Sequence, residues 1–279
     1  MSNTNCHTED RNFCGPDGLD AALFIDVDGT MLECQPYFDQ ASADFAYFLG
    51  RRGFDPAEAR KLLAEIDHAK TEEEGFERDR FGNSMVDTYL KLVASKRRRF
   101  KPEDIEADKR ILLALGQSPY FRTPKLFENC AAVLGRAVHN FRMFAVTIGN
   151  REAQKYKVRQ AGLEPIFDGL IVTAHDNKPE YVLAAMQDMG IDPKLSAFIG
   201  NSLRSDGANL QHTNYIHLPL ESGWSFDQSR ALPENTGFQV FYAKNWREAE
   251  EKGINRLIRM RHAQAQRKGG AKGKTGRCA

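Results

Sequence analysis

Residues 21–30 read Ala21-Ala22-Leu23-Phe24-Ile25-Asp26-Val27-Asp28-Gly29-Thr30. Five apolar residues meet charge at Asp26 and glycine at Gly29, the pattern of a buried parallel strand that ends in a functional loop. Four more runs look similar: Met143 to Ile148, Leu170 to Ala174, Ala197 to Ile199 and Tyr215 to Leu218 are short, apolar or β-branched, and followed by polar or glycine-containing loops. Between them, Arg151 to Ala161 and Glu180 to Met189 carry apolar residues at helical spacing, with Gly162 and Gly190 where helix C-caps are expected. Strands alternating with helices of that length predict an α/β fold built on a doubly wound parallel sheet.

The stretch 33–125 breaks the alternation. It has almost no strand signal and predicts helices at Asp44 to Arg52, Pro56 to Lys70, Ser84 to Ser95 and Pro102 to Leu115, with Pro56 and Pro102 at first helical positions. Glu72 to Gly75 and Arg80 to Asn83 read as loops. The expected organisation is a mobile leader at 1–19, a core of 20–32 and 126–265, a mostly helical insertion at 33–125 and a basic flexible tail at 266–279. Within the core, Phe238 to Tyr242 reads as a last strand and Trp246 to about Gln264 as a final helix.

Composition narrows the partners. Thirty-nine Lys and Arg against thirty-eight Asp and Glu give a net charge of +1, which removes any whole-protein argument for nucleic acid or membrane binding. No apolar run approaches the roughly 18 residues of a membrane helix, and residues 1–20 have neither a basic start nor an apolar segment, so a cytoplasmic protein is expected. Cys6, Cys14, Cys34, Cys130 and Cys278 are odd in number and form no CxxC pair, so they read as free thiols. Two basic stretches stand out. Lys96 to Lys101 reads as a solvated face, and the end of the chain, eight Lys or Arg and no acid between Arg256 and Arg277, admits only weak, salt-sensitive nucleic-acid contact. Oligomeric state carries no sequence signal.

The chemistry lies in Asp26 and Asp28. Open α/β sheets bind ligands at the carboxyl ends of their strands. Alternation along an extended chain sends the two acids to the same side, and Gly29 permits a tight turn there. Paired carboxylates invite a metal and a division of labour, in which one attacks while the other, kept partly protonated by its neighbour's charge, donates or accepts a proton. An EF-hand loop is excluded, because its glycine belongs at the sixth position and here stands at the fourth.

This motif resembles the opening of phosphatases of the haloacid dehalogenase superfamily, DxDGT after an apolar strand. Thr147, in Ala145 to Asn150, stands where the family carries a Thr or Ser. Lys178, before Pro179, stands at the family's lysine, and Phe198 to Asp206 takes the place of its final GDSxxxD motif. The four motifs occur in order across Leu23 to Leu220. The resemblance implies the phosphatase branch with a helical C1-type cap, hydrolysing a small phosphorylated metabolite through an aspartyl-phosphate. Asp26 would attack phosphorus, and Asp28 would protonate the leaving oxygen and then deprotonate water. Thr147, Gly149, Asn150 and Lys178 would bind phosphate. Magnesium (Mg2+) would be held by Asp26, Asp28, Asn201 and Asp206, more weakly than usual because an aspartate commonly stands at position 201. Dehalogenases lack an acid at the position of Asp28, because halide leaves unprotonated. A phosphomutase of sugar phosphates and a non-catalytic phosphate-binding protein remain the alternatives.

The gap between Asp26 and Thr147 is about four times that between Thr147 and Lys178, so a lid belongs in the first gap. Phe76, Arg78, Arg80 and Phe81 read as an exposed charged loop, with the lid's inner face as the other reading. His175 is either near the site or a plain loop residue.

Overall fold

The computed structural model describes residues 19–75, 77–96, 100–123, 125–173, 175–220 and 230–272, with side chains to 267. Its frame is a six-stranded, wholly parallel sheet of β1 (Ala22–Asp26), β4 (Arg142–Ile148), β5 (Gly169–Thr173), β6 (Ala197–Gly200), β7 (Asn214–His217) and β8 (Val240–Tyr242), in the order β5-β4-β1-β6-β7-β8. Apolar runs without polar alternation belong in such a sheet because both faces are covered. Leu23, Ile25, Met143, Ala145, Ala197 and Ile199 pack into one apolar cluster. Their neighbours Ala22, Phe24, Phe144, Val146 and Phe198 pack into another. The fold is the expected α/β, Rossmann-like arrangement, and the strand order reverses around β1, so its carboxyl end opens at the crevice where such sheets bind ligands.

The chain leaves and re-enters the core through a short antiparallel pair, β2 (Leu32–Glu33) and β3 (Lys125–Leu126). Between them lie α1 (Gln35–Arg51), α2 (Pro56–Glu74), α3 (Arg80–Ser95) and α4 (Pro102–Gln117). These helices share their own apolar cluster, with Ala41, Phe45 and Leu49 of α1, Ala59 and Leu63 of α2, and Met85 and Tyr89 of α3 at helical spacing. Pro56 and Pro102 do open their helices, and Asp55 caps α2 by accepting from the Ala57 and Glu58 N–H groups at 2.8 and 2.9 Å.

Several expected boundaries shift, each for a packing reason. α1 begins nine residues before Asp44. The Glu72 to Gly75 loop is instead the last turn of α2. The helix runs on because Thr71 is buried and its hydroxyl bonds to the Asp67 carbonyl at 2.7 Å, and it stops where Gly75 takes a φ of 76°. The Arg80 to Asn83 loop is the first turn of α3. Gly82 lies at a close helix crossing rather than a turn: a Cβ on it would fall 3.2 Å from the Leu113 carbonyl oxygen, and one on Gly116 of α4 only 2.3 Å from the Gly82 Cα.

In the core, α5 (Cys130–Ala137) has no counterpart among the expected helices. α6 (Arg151–Gln160) and α7 (Lys178–Met189) match the expected pattern, followed by Gly162 and Gly190 at φ of 70° and 63°. The final helical segment divides into α8 (Trp246–Glu248), a π turn (Ala249–Ile254) and α9 (Asn255–Lys272). Residues 266–272 therefore continue a helix rather than a flexible tail; 1–18 and 273–279 lie outside the described residues. Among the described residues no helix is long and apolar enough to cross a membrane.

Candidate active site

The loop after β1 folds back at once. The Met31 and Leu32 N–H groups donate to the Val27 carbonyl at 3.0 and 2.9 Å, and Gly29, at φ 80°, donates to the Leu32 carbonyl at 2.8 Å. Buried Trp246 closes the turn from behind, its indole N–H donating to the Thr30 carbonyl at 3.1 Å. Gly29 is required on two grounds: its φ suits glycine, and an added Cβ would lie 2.8 Å from Asn201 Nδ2.

Asp26, Asp28, Thr147, Gly149, Asn150, Lys178, Asn201 and Asp206 all line one cavity of about 380 Å³, bounded by the sheet edge and by the helical insertion. At its floor Lys178, only 3% exposed, donates to Asp26 Oδ1 at 2.6 Å and to Asp206 Oδ1 at 2.7 Å. Burial alone would lower the Lys178 pKa, but the charges of Asp206 and Asp26 outweigh it and hold the ammonium above the ordinary lysine range. Asp26 moves the other way. Burial first, then Asp206 and Asp28, outweigh Lys178 and push its carboxyl up to about 7. Asp206 Oδ2 accepts from the Ser202 N–H at 3.0 Å, an approach that Gly200 permits, since a Cβ there would lie 2.2 Å from that oxygen.

The Thr30 hydroxyl joins two motifs. It accepts from the Asn201 N–H at 3.1 Å, and its proton faces Asp26 Oδ2 at 3.0 Å and Asn201 Oδ1 at 3.2 Å. Thr147 is buried near the end of β4. Gly149 donates its N–H to the Thr173 carbonyl at 2.9 Å, and Asn150 caps α6 by accepting from the Ala153 N–H at 3.1 Å. Both line the cavity with these groups already used.

Asp28 is held from α6. Lys157 Nζ lies 2.8 and 2.9 Å from its two oxygens, and Gln154 Nε2 donates to Oδ2 at 2.9 Å. Burial would raise this carboxyl, but Lys157 and Gln154 overcome that and hold it below the usual carboxylate range. From the insertion come Arg60, Arg78, Arg80, Phe38, Phe81 and Tyr120. Arg80 is buried and pairs with Asp67, which also accepts from the Ser84 hydroxyl at 2.9 Å.

A buried lysine between two carboxylates, beside a third acid held by a second lysine, thus stands at the ligand-binding carboxyl edge of a parallel sheet. The profile of haloacid dehalogenase-like hydrolases matches residues 21–208, more than half the chain. The chain belongs to that family. Among solved structures, this hydrolase resembles a haloacid dehalogenase-like family hydrolase from Xanthomonas campestris, with 20% identity, a TM-score of 0.68, and 90% of this chain and 100% of that one covered. It also resembles the HAD hydrolase YfnB from Bacillus subtilis, a structure bound to magnesium, at 18% identity and TM-score 0.53 over 83% and 97% of the two chains. A dehalogenase matches at 14% identity and TM-score 0.51 over 85% and 97%. At such identities these likenesses speak to the fold. A search of curated proteins gave no match.

One expectation for the hydrolase needs correction. The expected exposed loop at Arg78 to Phe81 is not one: Arg80 and Phe81 are 6% and 5% exposed, and Arg78, though exposed, lines the cavity. They turn inward because Arg80 finds Asp67 and Phe81 joins the insertion's apolar cluster. Phe76 lies outside the described residues, as do Arg97, Arg98 and Arg99 of the basic stretch. In the site without a bound phosphate, Lys157 favours the ionised form of Asp28 while burial pushes Asp26 up. Gln154 and Lys157 escape a reading of the sequence; their signal there is only a three-residue spacing on the helix after Thr147. His175 is an exposed loop residue outside the cavity lining. Cys34 and Cys130 form no disulfide, and burial pushes the Cys130 thiol up to about 12; Cys6, Cys14 and Cys278 lie outside the described residues.

Proposed function

We propose that this hydrolase is a magnesium-dependent phosphatase of small phosphate monoesters that works through an aspartyl-phosphate on Asp26. One observation carries the reading: Asp28 lines the cavity with Asp26 and is held there by two side chains of α6. An alkoxide leaving phosphorus benefits from an acid, and a leaving halide does not. A site built for halide release would have no use for an Asp28 so firmly held.

Asp26 oxygen attacks phosphorus, the bond from phosphorus to the alcohol oxygen breaks, and the alkoxide takes its proton from Asp28. Water then attacks the aspartyl-phosphate and gives a proton to Asp28, releasing phosphate and restoring Asp26. The dianionic phosphate entering beside Asp28 adds a like charge that raises its carboxyl toward the protonated form the first step uses. Lys178 and Thr147 meet the phosphate oxygens as charge builds on them.

The donor set fits a hard cation. Asp26 Oδ2 and Asn201 Oδ1 converge on the Thr30 hydroxyl, at 3.0 and 3.2 Å, and hard divalent ions take such carboxylate and amide oxygens. Asp26, Asn201 and the Asp28 carbonyl would hold magnesium. Asp206 would complete the set through the lone pairs that Lys178, the Ser202 N–H and the Ser205 hydroxyl leave over. When bound, the ion supplies the charge that keeps Asp26 ionised against burial and relieves repulsion between two anions. α1 to α4 act as the lid, of the C1 cap class, over a small metabolite in a cytoplasmic setting.

The test is product release with and without magnesium from a panel of phosphate monoesters, a chromogenic aryl phosphate and 2-haloacids, comparing wild type with Asp26→Asn. Magnesium-dependent phosphate release, lost in the variant, is expected. Halide release without phosphate release overturns the proposal, and so does phosphate release that survives Asp26→Asn.

A further inference from the structure

The charges around the cavity divide by origin. In the core, Lys178 is paired with Asp26 and Asp206, and Lys157 with Asp28. In the insertion, Arg80 is paired with Asp67, and Asp39 accepts from Gln35 Nε2 at 2.9 Å. Two cations are left. Arg60 of α2 and Arg78, just before α3, line the same cavity, and neither makes an ion pair with a carboxylate among the described residues. The Arg78 guanidinium lies over the Phe121 ring, 4.9 Å from its centroid, which orients it without neutralising it.

Aromatic side chains share the same lining. Phe38 meets Phe81 edge-on at 5.3 Å and Tyr120 at 5.7 Å. The cavity lining therefore combines the carboxylate–lysine group of the core, aromatic rings and two guanidiniums of the insertion that no carboxylate holds. Its volume of about 380 Å³ lies near the lower end for small-molecule sites. A phosphate monoester of a neutral alcohol would leave both guanidiniums without a bound anion, although Asp39, held only by the Gln35 amide, shares the lining.

We propose that the substrate carries a second anionic group, a carboxylate or another phosphate, and that Arg60 and Arg78 hold it at the insertion end. The proposal rests on the phosphatase reading for the identity of the first group. Guanidinium forks match carboxylate and phosphate oxygens in pairs, which lysines do not. Arg80 acts differently. Tied to Asp67 and buried, it fixes the start of α3 and so the placement of Arg78 two residues earlier. The second anion thus selects among phosphate monoesters that look alike to the core.

Three matched probes test this: propyl phosphate, its carboxylate analogue 3-(phosphonooxy)propanoate, and propane-1,3-diyl bisphosphate. Calorimetry on the Asp26→Asn protein with magnesium, at a fixed ionic strength of about 0.15 M, gives binding without turnover, and wild-type kinetics give kcat/KM. At least one doubly anionic probe is expected to bind about tenfold tighter than propyl phosphate, the gain of charge-assisted bonds at partly exposed arginines. That ratio should fall to near one when Arg60→Gln and Arg78→Gln are combined, and recover in part with Arg60→Lys and Arg78→Lys. Which probe gains tells carboxylate from phosphate. An equal affinity for all three overturns the second-anion site, even if every probe is hydrolysed. A preference that survives the double substitution overturns the assignment to these arginines. A preference that vanishes with the arginines, without turnover of any probe and without phosphate release from the wider panel above, keeps the anion site and refutes the phosphatase reading alone.

Discussion

Replacing Asn201 with aspartate puts a second carboxylate against the attacking one, and the structure sets the scale of the effect. Asn201 Oδ1 and Asp26 Oδ2 lie 3.2 and 3.0 Å from the same Thr30 hydroxyl oxygen, which puts them roughly 5 to 6 Å apart. Two unit charges at that separation repel by about 3 kcal/mol at an effective dielectric constant of about 20. Asp26, already pushed up to about 7, sheds part of that cost by taking a proton. The metal-free Asn201→Asp protein is therefore expected to be less stable by up to about 3 kcal/mol, lowering its thermal midpoint by up to about 10 °C. Magnesium reverses the sign, because the new carboxylate then faces a cation. The midpoint gain on adding magnesium should exceed that of wild type, and half-activation of phosphate release should shift to at least about tenfold lower magnesium, the equivalent of about 1.4 kcal/mol. Scanning fluorimetry across a magnesium titration reads the first effect and phosphate release the second. An unchanged metal-free midpoint together with an unchanged magnesium response would refute the convergence of these two oxygens on a cation.

Three further outcomes follow from the geometry. Asp67→Ala leaves Arg80, 6% exposed and with its Nε already unpartnered, as an uncompensated buried cation. Urea unfolding should show a loss of about 3–5 kcal/mol, largely recovered when Arg80→Met is added to Asp67→Leu, and a loss below about 1 kcal/mol refutes the pairing. Gly29→Ala forces a side chain to φ 80° and a Cβ to 2.8 Å from Asn201 Nδ2; we expect about 1–3 kcal/mol of destabilisation with a fall in turnover, and near-wild-type values for both would show that the turn relaxes freely. Cys130, pushed up to about 12 by burial, stays a neutral thiol at pH 8. Peptide mapping after iodoacetamide should find it unlabelled in the native protein and labelled in urea, and native labelling would contradict its burial.

The sheet is legible in the sequence because its strands obey a single rule over short distances. A strand covered on both faces has no polar alternation, and Leu23 and Ile25 on one side with Ala22 and Phe24 on the other need nothing but apolar side chains. Helix ends in the insertion are less legible because packing overrides local preference. Gly82 and Asn83 carry a turn signal, yet α3 begins before them, since α4 approaches so closely at Gly116 that only glycine fits. Glu72 to Glu74 look like a solvated charge run and remain helical up to the positive φ of Gly75.

The groups proposed to react and those proposed to select differ in the same way. Asp26, Lys178 and Asp206 declare their chemistry by type and by position after apolar strands, and a parallel sheet brings every such strand end to one edge. Lys157 and Gln154 have no such address. They meet Asp28 across 129 and 126 residues of sequence, through the angle at which α6 returns to the sheet. Arg60, Arg78 and Arg80 are further removed, since their direction depends on how four helices pack on one another and on which acids, Asp67 for Arg80 and none among the described residues for the other two, lie within reach. A pattern of residue types can therefore reveal the reaction while concealing the substrate. The candidate catalytic groups follow from the geometry of a sheet that one strand rule predicts, whereas the proposed specificity rests on which charges remain unpaired after every other contact has formed.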